Sequence, residues 1–520
     1  MRILIFHGYL LRGTGSNIYN ASLTAALRDM GHEVHILCQD RHAGELEFVD
    51  ALGRWERGEL NVQGQADARV TAYLPDIGRV LPVYVADRYE DFDAKPFLDL
   101  TDAELDHYIE ANAVAAREVM ERVRPDVALA NHALMGPAIL ARALGDQVPY
   151  AVKIHGSALE YTLRRDPERF LAYAQEGVAQ AKGVLVGSTH MAERLWEFLP
   201  ETRERTRLGP PGVDVHRFRP LNAPESKERL HALADRLEGG AAAGWGGDAG
   251  AAAALRQLDP DRDLLVSYVG KLIVSKGIDL LLAAWPLIVH EVPRARLCVV
   301  GFGTYREACE RMVAALAGGD LDSLRDIAAR GRELEGGPAG RLRFLDAFLD
   351  SLEGEKRDSY LAAAPEAAAR VHFTGRLEHD ALPDVLPACL AQVVPSTFPE
   401  AFGMVAAEAA TCGVLPLSAA HSGLAEVSAA LAPSLDRSLQ RLLGFEVGEG
   451  AVDEIAAKLV AWLTLDPEER SRAAAALADT AAGRFGWEHV AETVIAAAQG
   501  QLDELPDAAP AGEPWRPPLG

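Results

Sequence analysis

Short, mostly apolar runs recur along the chain in two separate series. The first series comprises Arg2–Phe6, Glu33–Cys38, Val127–Ala130, Tyr150–Ile154 and Val184–Gly187, and the second comprises Leu264–Val269, Ala295–Val300, Val371–Thr374 and Ala391–Val394. A run that is apolar at nearly every position predicts a strand covered on both faces, which is typical of parallel sheets flanked by helices. The sequence therefore predicts two α/β domains, each built on a doubly wound parallel sheet.

The length, net charge and cysteine content of the chain limit the class of protein. A chain of 520 residues is too long for one core and suits two domains with insertions. Its net charge of −24 argues against a nucleic-acid surface and against general attraction to anionic lipid. Five scattered cysteines indicate buried thiols in a reducing compartment. Without a signal pattern or an apolar span, we expect a cytoplasmic protein with no transmembrane segment, and peripheral membrane contact stays open.

The stretch Pro395–Gly413 carries the clearest chemical pattern. A strand leads into a loop with two prolines, and a short apolar helix is predicted from Gly403 to Gly413. Glu400 and Glu408 flank the start of this helix, eight residues apart. They could lie up to ~12 Å apart, about the reach from a sugar ring across a diphosphate to a ribose. Free N–H groups between them would face an anion.

This stretch resembles the glutamate–seven residues–glutamate signature of retaining glycosyltransferases of family 4, which have the GT-B fold. The resemblance implies two Rossmann-like domains facing each other across a cleft. It also implies that Glu400 accepts a hydroxyl of the donor sugar and that Glu408 accepts the ribose hydroxyls. The residues that it places at the donor between them are Ala401, Phe402, Gly403, Met404 and Val405.

A second donor motif follows the first strand of the second series, from Gly270 to Gly277. A departing diphosphate needs positive charge placed in advance, and Lys271 and Lys276 could supply it. The family usually has arginine at the position of Lys271. A lysine supplies the charge, but we expect it to bind the diphosphate without the paired hydrogen bonds that a guanidinium would form. The resemblance adds Gly270, Gly301 and Gly303 as donor-binding residues, and Arg376 and Leu377 as packing groups against the base.

One strand of the first series is followed by a histidine that matches a family position. His155 follows the strand Tyr150–Ile154, and ligands of open α/β sheets bind outside the carboxyl ends of strands. By resemblance it lies beside the reacting sugar, and a histidine bonded to nearby backbone is the alternative. Near the N-terminus, Gly13-Thr14-Gly15 is half of a dinucleotide fingerprint and Asp40 could bind a ribose, which leaves a nicotinamide-dependent oxidoreductase open. In the family this loop, with Gly15, approaches the acceptor or the donor diphosphate.

We predict an acceptor-side domain over residues 1–212 and a donor domain over 213–486. A helix over 487–505 is expected to return to the first domain, and 506–520 to be a disordered tail. Residues 222–262 are interpreted as an insertion or flexible linker, because they are charged and then rich in alanine and glycine. A charged helical insertion is expected over 315–369. Thr101 and Glu104 predict a capping box for a helix over 101–123.

The predicted function is transfer of a sugar, with retention, from a UDP-, GDP- or ADP-linked donor to an unidentified hydroxyl acceptor. The acceptor could be a glycan, a lipid-linked molecule or a small molecule. No cofactor and no metal are expected, because Asp91-Phe92-Asp93 and Asp259-Pro260-Asp261 lie in irregular segments. The alternatives are a phosphorylase or epimerase of the same fold, a catalytically silent GT-B protein that binds a sugar or partner, and the oxidoreductase.

Overall fold

The computed structural model describes residues 1–12, 15–65, 67–84, 92–238, 250–509 and 515–518. Within them the chain forms two compact units. The first unit is Met1–Gly212 with the C-terminal segment that begins at Phe485, and the second is Val213–Arg484 with the last described residues. Each unit has its own sheet, and the prediction of two doubly wound α/β domains is confirmed.

The first unit contains a nine-stranded sheet that is parallel except for one edge hairpin. In spatial order the strands are Thr206–Leu208, Gly183–Val186, Tyr150–Lys153, Val127–Asn131, Arg2–Phe6, Glu33–Leu37, Val70–Leu74, Ala51–Glu56 and Glu59–Gly64. A separate two-stranded sheet pairs Val80–Val83 with Asp93–Pro96. The chain order reverses direction between Arg2–Phe6 and Val127–Asn131, and the sequence predicted both of these strands.

Alternate residues of these strands face two different cores. Leu4 and Phe6 pack into one hydrophobic cluster, and Ile3 and Ile5 into another on the opposite face. This explains the uniformly apolar strand, because each face of the sheet is covered by helices. The helices of this unit are Ser16–Asp29, Asp102–Val123, Gly136–Leu144, Gly156–Ala158, Pro167–Ala179, Thr189–Trp196 and Trp487–Gln499.

The second unit contains a six-stranded sheet in which every pairing is parallel. Its spatial order is Val371–Gly375, Ala295–Val300, Leu264–Val269, Ala391–Val394, Leu415–Ala419 and Gly444–Phe445. Counted along the chain this is the order 3-2-1-4-5-6. The order reverses between the first and fourth strands, and such a switch point is where doubly wound sheets bind ligands.

Helices of the second unit surround that sheet and form the predicted insertion. They are Ala223–Glu238, Ala251–Arg256, Ile278–Glu291, Arg306–Gly318, Leu321–Arg330, Arg343–Asp350, Gly354–Ala369, Leu382–Val385, Met404–Thr411, Ser422–Leu431, Arg437–Gln440, Ala451–Leu463 and Pro467–Phe485. Among the described helices, none combines the length and the hydropathy that a membrane-spanning helix requires.

Two sequence interpretations need correction. The segment 222–262 is not a flexible linker where it is described, because Leu230, Leu233 and Ala234 recur at helical spacing and are buried. The tail 506–520 is not disordered in its described parts. Ala508 is fully buried, and Arg207 forms a β-bridge with Asp507. The stretches 239–249, 510–514 and 519–520 lie outside the described residues.

Gly277 begins the helix Ile278–Glu291 at the switch point of the second unit. Its φ is +65°, in the left-handed region that favours glycine. A Cβ placed there would lie 1.9 Å from the carbonyl oxygen of Pro395. The backbone after the first strand and the backbone after the fourth strand can therefore meet only through a residue without a side chain.

We expect Gly277→Ala to destabilise the second unit severely, by at least about 3 kcal/mol, because backbone overlap adds to the left-handed conformation. The matched control is Gly336→Ala, where φ is +81° and an added Cβ would have no atom within 4 Å. That variant should lose only about 1 kcal/mol. Urea unfolding followed by circular dichroism measures both changes, and equal losses would contradict the role of the close approach.

Candidate functional site

The loop Gly270–Gly277, which the sequence predicts to bind the donor and which is here called the donor loop for that prediction, follows the first strand of the second unit. It lies beside the loops that follow the neighbouring strands. The N–H of Leu272 donates to the carbonyl of Phe302 at 2.8 Å, and the N–H of Gly301 donates to the carbonyl of Gly375 at 2.9 Å. A Cβ at Gly301 would lie 2.0 Å from the carbonyl oxygen of Gly270. Three strand-end loops thus share one edge, and glycine lets them approach each other.

Lys276 and Glu400 meet at the switch point. Lys276 Nζ lies 2.5 Å from Glu400 Oε1, and both side chains are partly exposed. The hydroxyl of Ser396 donates to the same carboxylate oxygen at 2.6 Å. A charge-assisted pair at the carboxyl edge of the sheet can exchange its internal partner for an anionic or hydroxylated ligand. The sequence predicted both charged residues but not Ser396.

The backbone around Glu400 is supported by the segment after the fifth strand. The N–H of Glu400 donates to the Ser422 hydroxyl at 2.8 Å, and His421 Nε2 lies 2.8 Å from the carbonyl oxygen of Ser396. Ser422 has a φ of +50°. A Cβ at Gly423 would meet the Phe402 backbone at 2.6 Å, so glycine is required there. This contact fixes the chain that carries Glu400.

Glu408 lies eight residues after Glu400, inside the helix Met404–Thr411. It is 3% exposed, and its Oε1 lies 2.7 Å from His379 Nε2. Burial opposes protonation of His379, but the hydrogen bond and charge of Glu408 outweigh it and raise the pKa of His379 above its ordinary value. The sequence missed His379, although it lies two residues after Leu377.

The helix that carries Glu408 begins where the sequence predicted. Gly403 is its N-cap residue and Gly413 has a φ of +75°. The first N–H groups of a helix have no intrahelical partner, so those of Met404 and Val405 are oriented for an anion. Ala401 and Phe402 precede them in the supported loop.

Arg376 packs on an aromatic ring that the sequence missed. Its guanidinium carbon lies 5.0 Å from the centroid of Phe302, and its Nε lies 3.2 Å from Glu378 Oε1. Phe302 is 44% exposed, unusual for a large apolar side chain. Leu377 is half-buried beside Arg376, and Gly303 lets the Phe302 loop lie against the carbonyl of Leu272. The Arg376 guanidinium and the Phe302 ring thus stack on each other beside Leu377.

Lys271 differs from Lys276 in its surroundings. Its side chain is exposed, and within the described part of the chain no carboxylate lies within ion-pairing distance of it. Its carbonyl accepts a hydrogen bond from the Tyr268 hydroxyl at 3.0 Å. The structure thus places both lysines on the donor loop but engages only Lys276.

The helical insertion reaches the donor loop through one carboxylate. Glu335 Oε2 accepts a hydrogen bond from the N–H of Val274 at 2.7 Å, and its other oxygen lies 3.1 Å from Arg332 Nε. The glutamate is about one-tenth exposed. The insertion therefore contributes directly to the conformation of the loop that carries Lys276.

The first unit has its own cluster of polar side chains at its switch point, the histidine cluster His7, His132 and His155. His132 and His155 have ring centroids 4.9 Å apart, and His7 and His132 have centroids 6.3 Å apart. Of these the sequence predicted only His155, because His7 and His132 follow strands far apart in the chain. Gly15, the N-cap of Ser16–Asp29, also lies in this unit, while Gly13 and Thr14 lie outside the described residues.

Hydrogen bonds determine the tautomer of His155. Asn131 Nδ2 donates to the carbonyl of Phe6, so its Oδ1 accepts from His155 Nε2 at 2.9 Å. His155 Nε2 therefore carries the proton, and Nδ1 is left as an acceptor. Burial, followed by the charges of His132, Lys153 and His7, holds the pKa of His155 well below its ordinary value. The imidazole is neutral at physiological pH.

His132 is buried without a hydrogen-bond partner for its ring among the described residues. It is 2% exposed, its φ is +70°, and neither ring nitrogen has a hydrogen-bond partner in the described part of the chain. Burial and the nearby His7 hold the pKa of His132 well below its ordinary value. Burying such a group costs free energy, and strained, unsatisfied residues of this kind cluster at functional sites.

The carboxylate that the oxidoreductase interpretation assigns to a ribose is already hydrogen-bonded within the protein. Asp40 is 3% exposed, and its two oxygens accept the backbone N–H groups of Leu11 and His42 at 3.0 and 2.9 Å. Asp259 and Asp261 both bind Lys227 Nζ, at 2.8 and 2.7 Å, and Asp91 lies outside the described residues. Among the residues described, no group of three or more His, Cys, Asp or Glu side chains is placed to hold a metal ion.

Comparison with known proteins gives two family matches. The pattern of the family "Glycosyltransferase Family 4" matches residues 13–217, and that of "Glycosyl transferases group 1" matches residues 340–477. Together they cover about two thirds of the chain. A D-inositol 3-phosphate glycosyltransferase of Frankia alni is 26% identical over 459 residues, 86% of this chain and 92% of that protein. Five further relatives of that name align over 53% to 60% of their own length.

Solved structures share the fold. A sucrose-phosphate synthase of Thermosynechococcus elongatus superposes with a TM-score of 0.52 at 18% identity, covering 96% of this chain and 98% of that one. HepE of Anabaena, solved with UDP and glucose, superposes with a TM-score of 0.53 at 17% identity, covering 97% and 100%. At this identity the likeness shows the fold, which is GT-B.

We expect His132→Phe to keep or raise the free energy of unfolding at pH 7, by about 1 kcal/mol, because the ring loses no hydrogen bond and no unpaired nitrogen stays buried. The variant should also be less sensitive to acid. Without the substitution, residue 132 takes up a proton in the unfolded state below about pH 6.5, whereas buried His132 stays neutral in the folded state. The free energy of unfolding therefore falls as the pH falls. Removing one such group should reduce the slope of the unfolding free energy against pH by up to about 1.4 kcal/mol per pH unit.

Urea unfolding between pH 4.5 and 8 measures this slope. The control His216→Phe replaces an exposed histidine and should leave the slope unchanged. A slope for His132→Phe equal to that of the native protein would contradict the buried neutral imidazole.

Proposed function

Because this chain belongs to the group 1 glycosyltransferases of family 4, we propose that it transfers a sugar from a nucleoside-diphosphate sugar to a hydroxyl acceptor with retention of configuration. The reaction class is that of the family; the donor, the stereochemistry and the independence of a metal are the proposal. The observation that carries it is the Lys276–Glu400 pair at the switch point of the second unit.

Charge development supports a diphosphate at Lys276. As the glycosidic bond breaks, negative charge grows on the leaving diphosphate, and a catalyst stabilises it best with groups already in place. Lys276 provides an ammonium, and the helix Met404–Thr411 begins with N–H groups beside the loop of Glu400. Glu400 then accepts a hydroxyl of the donor sugar. Binding of the donor replaces the internal ion pair with two contacts to the same ligand.

The buried Glu408 supports recognition of a ribose. A carboxylate whose Oε1 is held by His379 has a fixed orientation, and its other oxygen can accept ribose hydroxyls. Phe302 and Arg376 provide a flat face for the base. Uridine is the first base to test, because HepE was solved with UDP.

Retention requires no protein nucleophile in this proposal. An oxygen of the leaving phosphate takes the proton of the acceptor hydroxyl on the face from which the phosphate departs. The sugar C1–O bond to phosphate breaks, and the new C1–O bond to the acceptor forms on the same side. The neutral His155, with Nδ1 as an acceptor, is suited to orient a substrate hydroxyl. The free, buried cysteines support the predicted cytoplasmic location.

We expect Glu400→Gln to reduce sugar transfer at least a hundredfold while UDP binds as tightly as before or more tightly. UDP lacks the sugar that Glu400 contacts, and the variant removes the carboxylate that competes for Lys276. Lys276→Ala should instead weaken UDP at least tenfold, since it removes a charge-assisted bond. Calorimetry of UDP binding and a transfer assay measure both effects. Lys356→Ala, which removes an ion-paired lysine elsewhere in the unit, is the control.

We expect one nucleoside diphosphate among UDP, GDP and ADP to raise the thermal midpoint, with the same shift in the presence of EDTA. Transfer should also continue in EDTA, because lysine and backbone N–H groups replace a cation at the diphosphate. Stabilisation by NADH alone would overturn the proposal, and loss of binding in EDTA would overturn its metal-independent form.

A further inference from the structure

A network of side-chain contacts connects the start of the second unit with the buried carboxylate of Glu408. The second unit begins at Val213. The residues that follow, 214–218, form a turn, here called the entry turn. It contacts the loop after the strand Val371–Gly375, in which His379 bonds to Glu408. The whole network therefore belongs to the second unit.

Asp214 determines the shape of the entry turn. Its Oδ1 accepts the N–H groups of His216 and Arg217 at 3.1 and 3.2 Å, and its carbonyl accepts the N–H of Phe218 at 2.8 Å. An aspartate that binds backbone groups two and three residues ahead is a common way to fix a turn. The turn buries the Phe218 ring and leaves Arg217 exposed. Both side chains thus leave a backbone that is already fixed.

These two side chains of the entry turn contact the same loop. Arg217 Nη1 donates to Asp380 Oδ1 at 2.7 Å, and Arg217 Nη2 donates to the Asp380 carbonyl at 2.9 Å. The Phe218 ring has its centroid 5.3 Å from that of the His379 ring. A planar guanidinium that binds a side chain and a backbone group of one residue fixes both. The entry turn therefore restrains the backbone of Asp380 and the ring of His379 together.

The segment after His379 has a separate anchor. Arg236, from the helix Ala223–Glu238, donates from Nη2 to Asp384 Oδ2 at 2.6 Å. Leu382 and Val385 of the same segment are buried. These contacts do not involve Arg217, so we expect the segment to stay folded without it. What Arg217 adds is the orientation of the residues next to His379.

His379 transmits this restraint to Glu408. Its Nε2 lies 2.7 Å from Glu408 Oε1, and because a carboxylate can only accept here, Nε2 carries the proton. A glutamate reaches its carboxylate through three rotatable bonds, so a fixed partner is needed to direct the second oxygen. The position of the His379 ring therefore determines where Glu408 Oε2 is presented.

We propose that Arg217 is a positioning residue for recognition of the donor's ribose: it orients His379, which holds the Glu408 carboxylate in place for the ribose hydroxyls. This inference rests on the proposed function, which supplies the contact between Glu408 and a ribose. Arg217 acts only through the residues of the second loop. An exposed ion pair contributes little to stability, so its removal should disturb the orientation of His379 without unfolding the unit.

The ribose preference tests the proposal. It is the ratio of the affinities for UDP and for dideoxy-UDP, which lacks both ribose hydroxyls, measured by calorimetry on the full chain. Where GDP or ADP is the diphosphate that the native chain binds, its dideoxy counterpart is used. Contacts to the base and the diphosphate cancel in this ratio. We expect a preference of about thirtyfold or more, because hydrogen bonds to a carboxylate are lost with the hydroxyls. Glu408→Ala should abolish it.

We expect Arg217→Ala to reduce the ribose preference about threefold, within the range of an exposed ion pair. Arg217→Lys should restore part of it, because an ammonium keeps the charge without the planar fork. Arg219→Ala is the matched control and should leave the preference unchanged. Arg219 lies two residues further on, its side chain is 43% exposed against 47% for Arg217, and it pairs with Glu225 instead.

A double substitution tests the route through His379. His379→Ala should reduce the preference about fivefold and leave a measurable part of it, because Glu408 is still present. Adding Arg217→Ala to this variant should cause no further loss, since the residue through which Arg217 acts is gone. The thermal midpoint shows whether each variant folds. If Arg217→Ala does not fold, Asp380→Ala removes the same ion pair from its exposed side and should lower the preference likewise.

The failure of this inference differs from the failure of the proposed function. A native ribose preference in Arg217→Ala, an equal loss in Arg219→Ala, or additive losses in the double variant would overturn the role of Arg217 and leave Glu408 assigned. Equal affinity of the native chain for UDP and dideoxy-UDP would overturn the proposed contact of Glu408 with a ribose. Binding of none of the three diphosphates would overturn the proposed donor.

Discussion

The close approach of Gly277 to the carbonyl of Pro395 is the constraint on which the carboxyl edge of the second unit's sheet depends. It brings the loop after the first strand against the loop after the fourth, across the point where the order of the sheet reverses. Lys276 and Glu400, separated by 124 residues in sequence, become neighbours through it. A side chain at residue 277 would separate the two loops, and Lys276 and Glu400 would no longer form their ion pair.

Much of the fold could be predicted because its signals are local. A strand covered on both faces has to be apolar throughout, and the runs at Arg2–Phe6, Leu264–Val269 and Ala295–Val300 are short and clearly bounded. The capping box of Thr101 and Glu104 predicted where the next helix begins, and the structure contains this capping box. The helix within 222–262 was harder to predict, because the many charged residues of Ala223–Glu238 hide an apolar stripe, Leu230, Leu233 and Ala234, that is sufficient for helix packing.

The candidate site could be predicted only where one motif carries it. Glu400 and Glu408 lie in a single stretch, so their spacing was visible; their roles remain a proposal. His379, Phe302 and Ser396 acquire meaning only from the registers between strands, which one sequence does not reveal. His132 gave no signal, because a histidine in the left-handed region looks like any other histidine in the sequence.

The hydrogen bond from Val274 to Glu335 has a consequence for how this chain can change over time. The inserted helices supply a carboxylate to a backbone group that a shorter chain would have to satisfy in another way. Deleting the insertion would leave that N–H of the donor loop to water. Exchanging the insertion for that of another protein would succeed only if an acceptor arrived at the same place. The loop that carries Lys276 and the helical segment that carries Glu335 can therefore diverge only together.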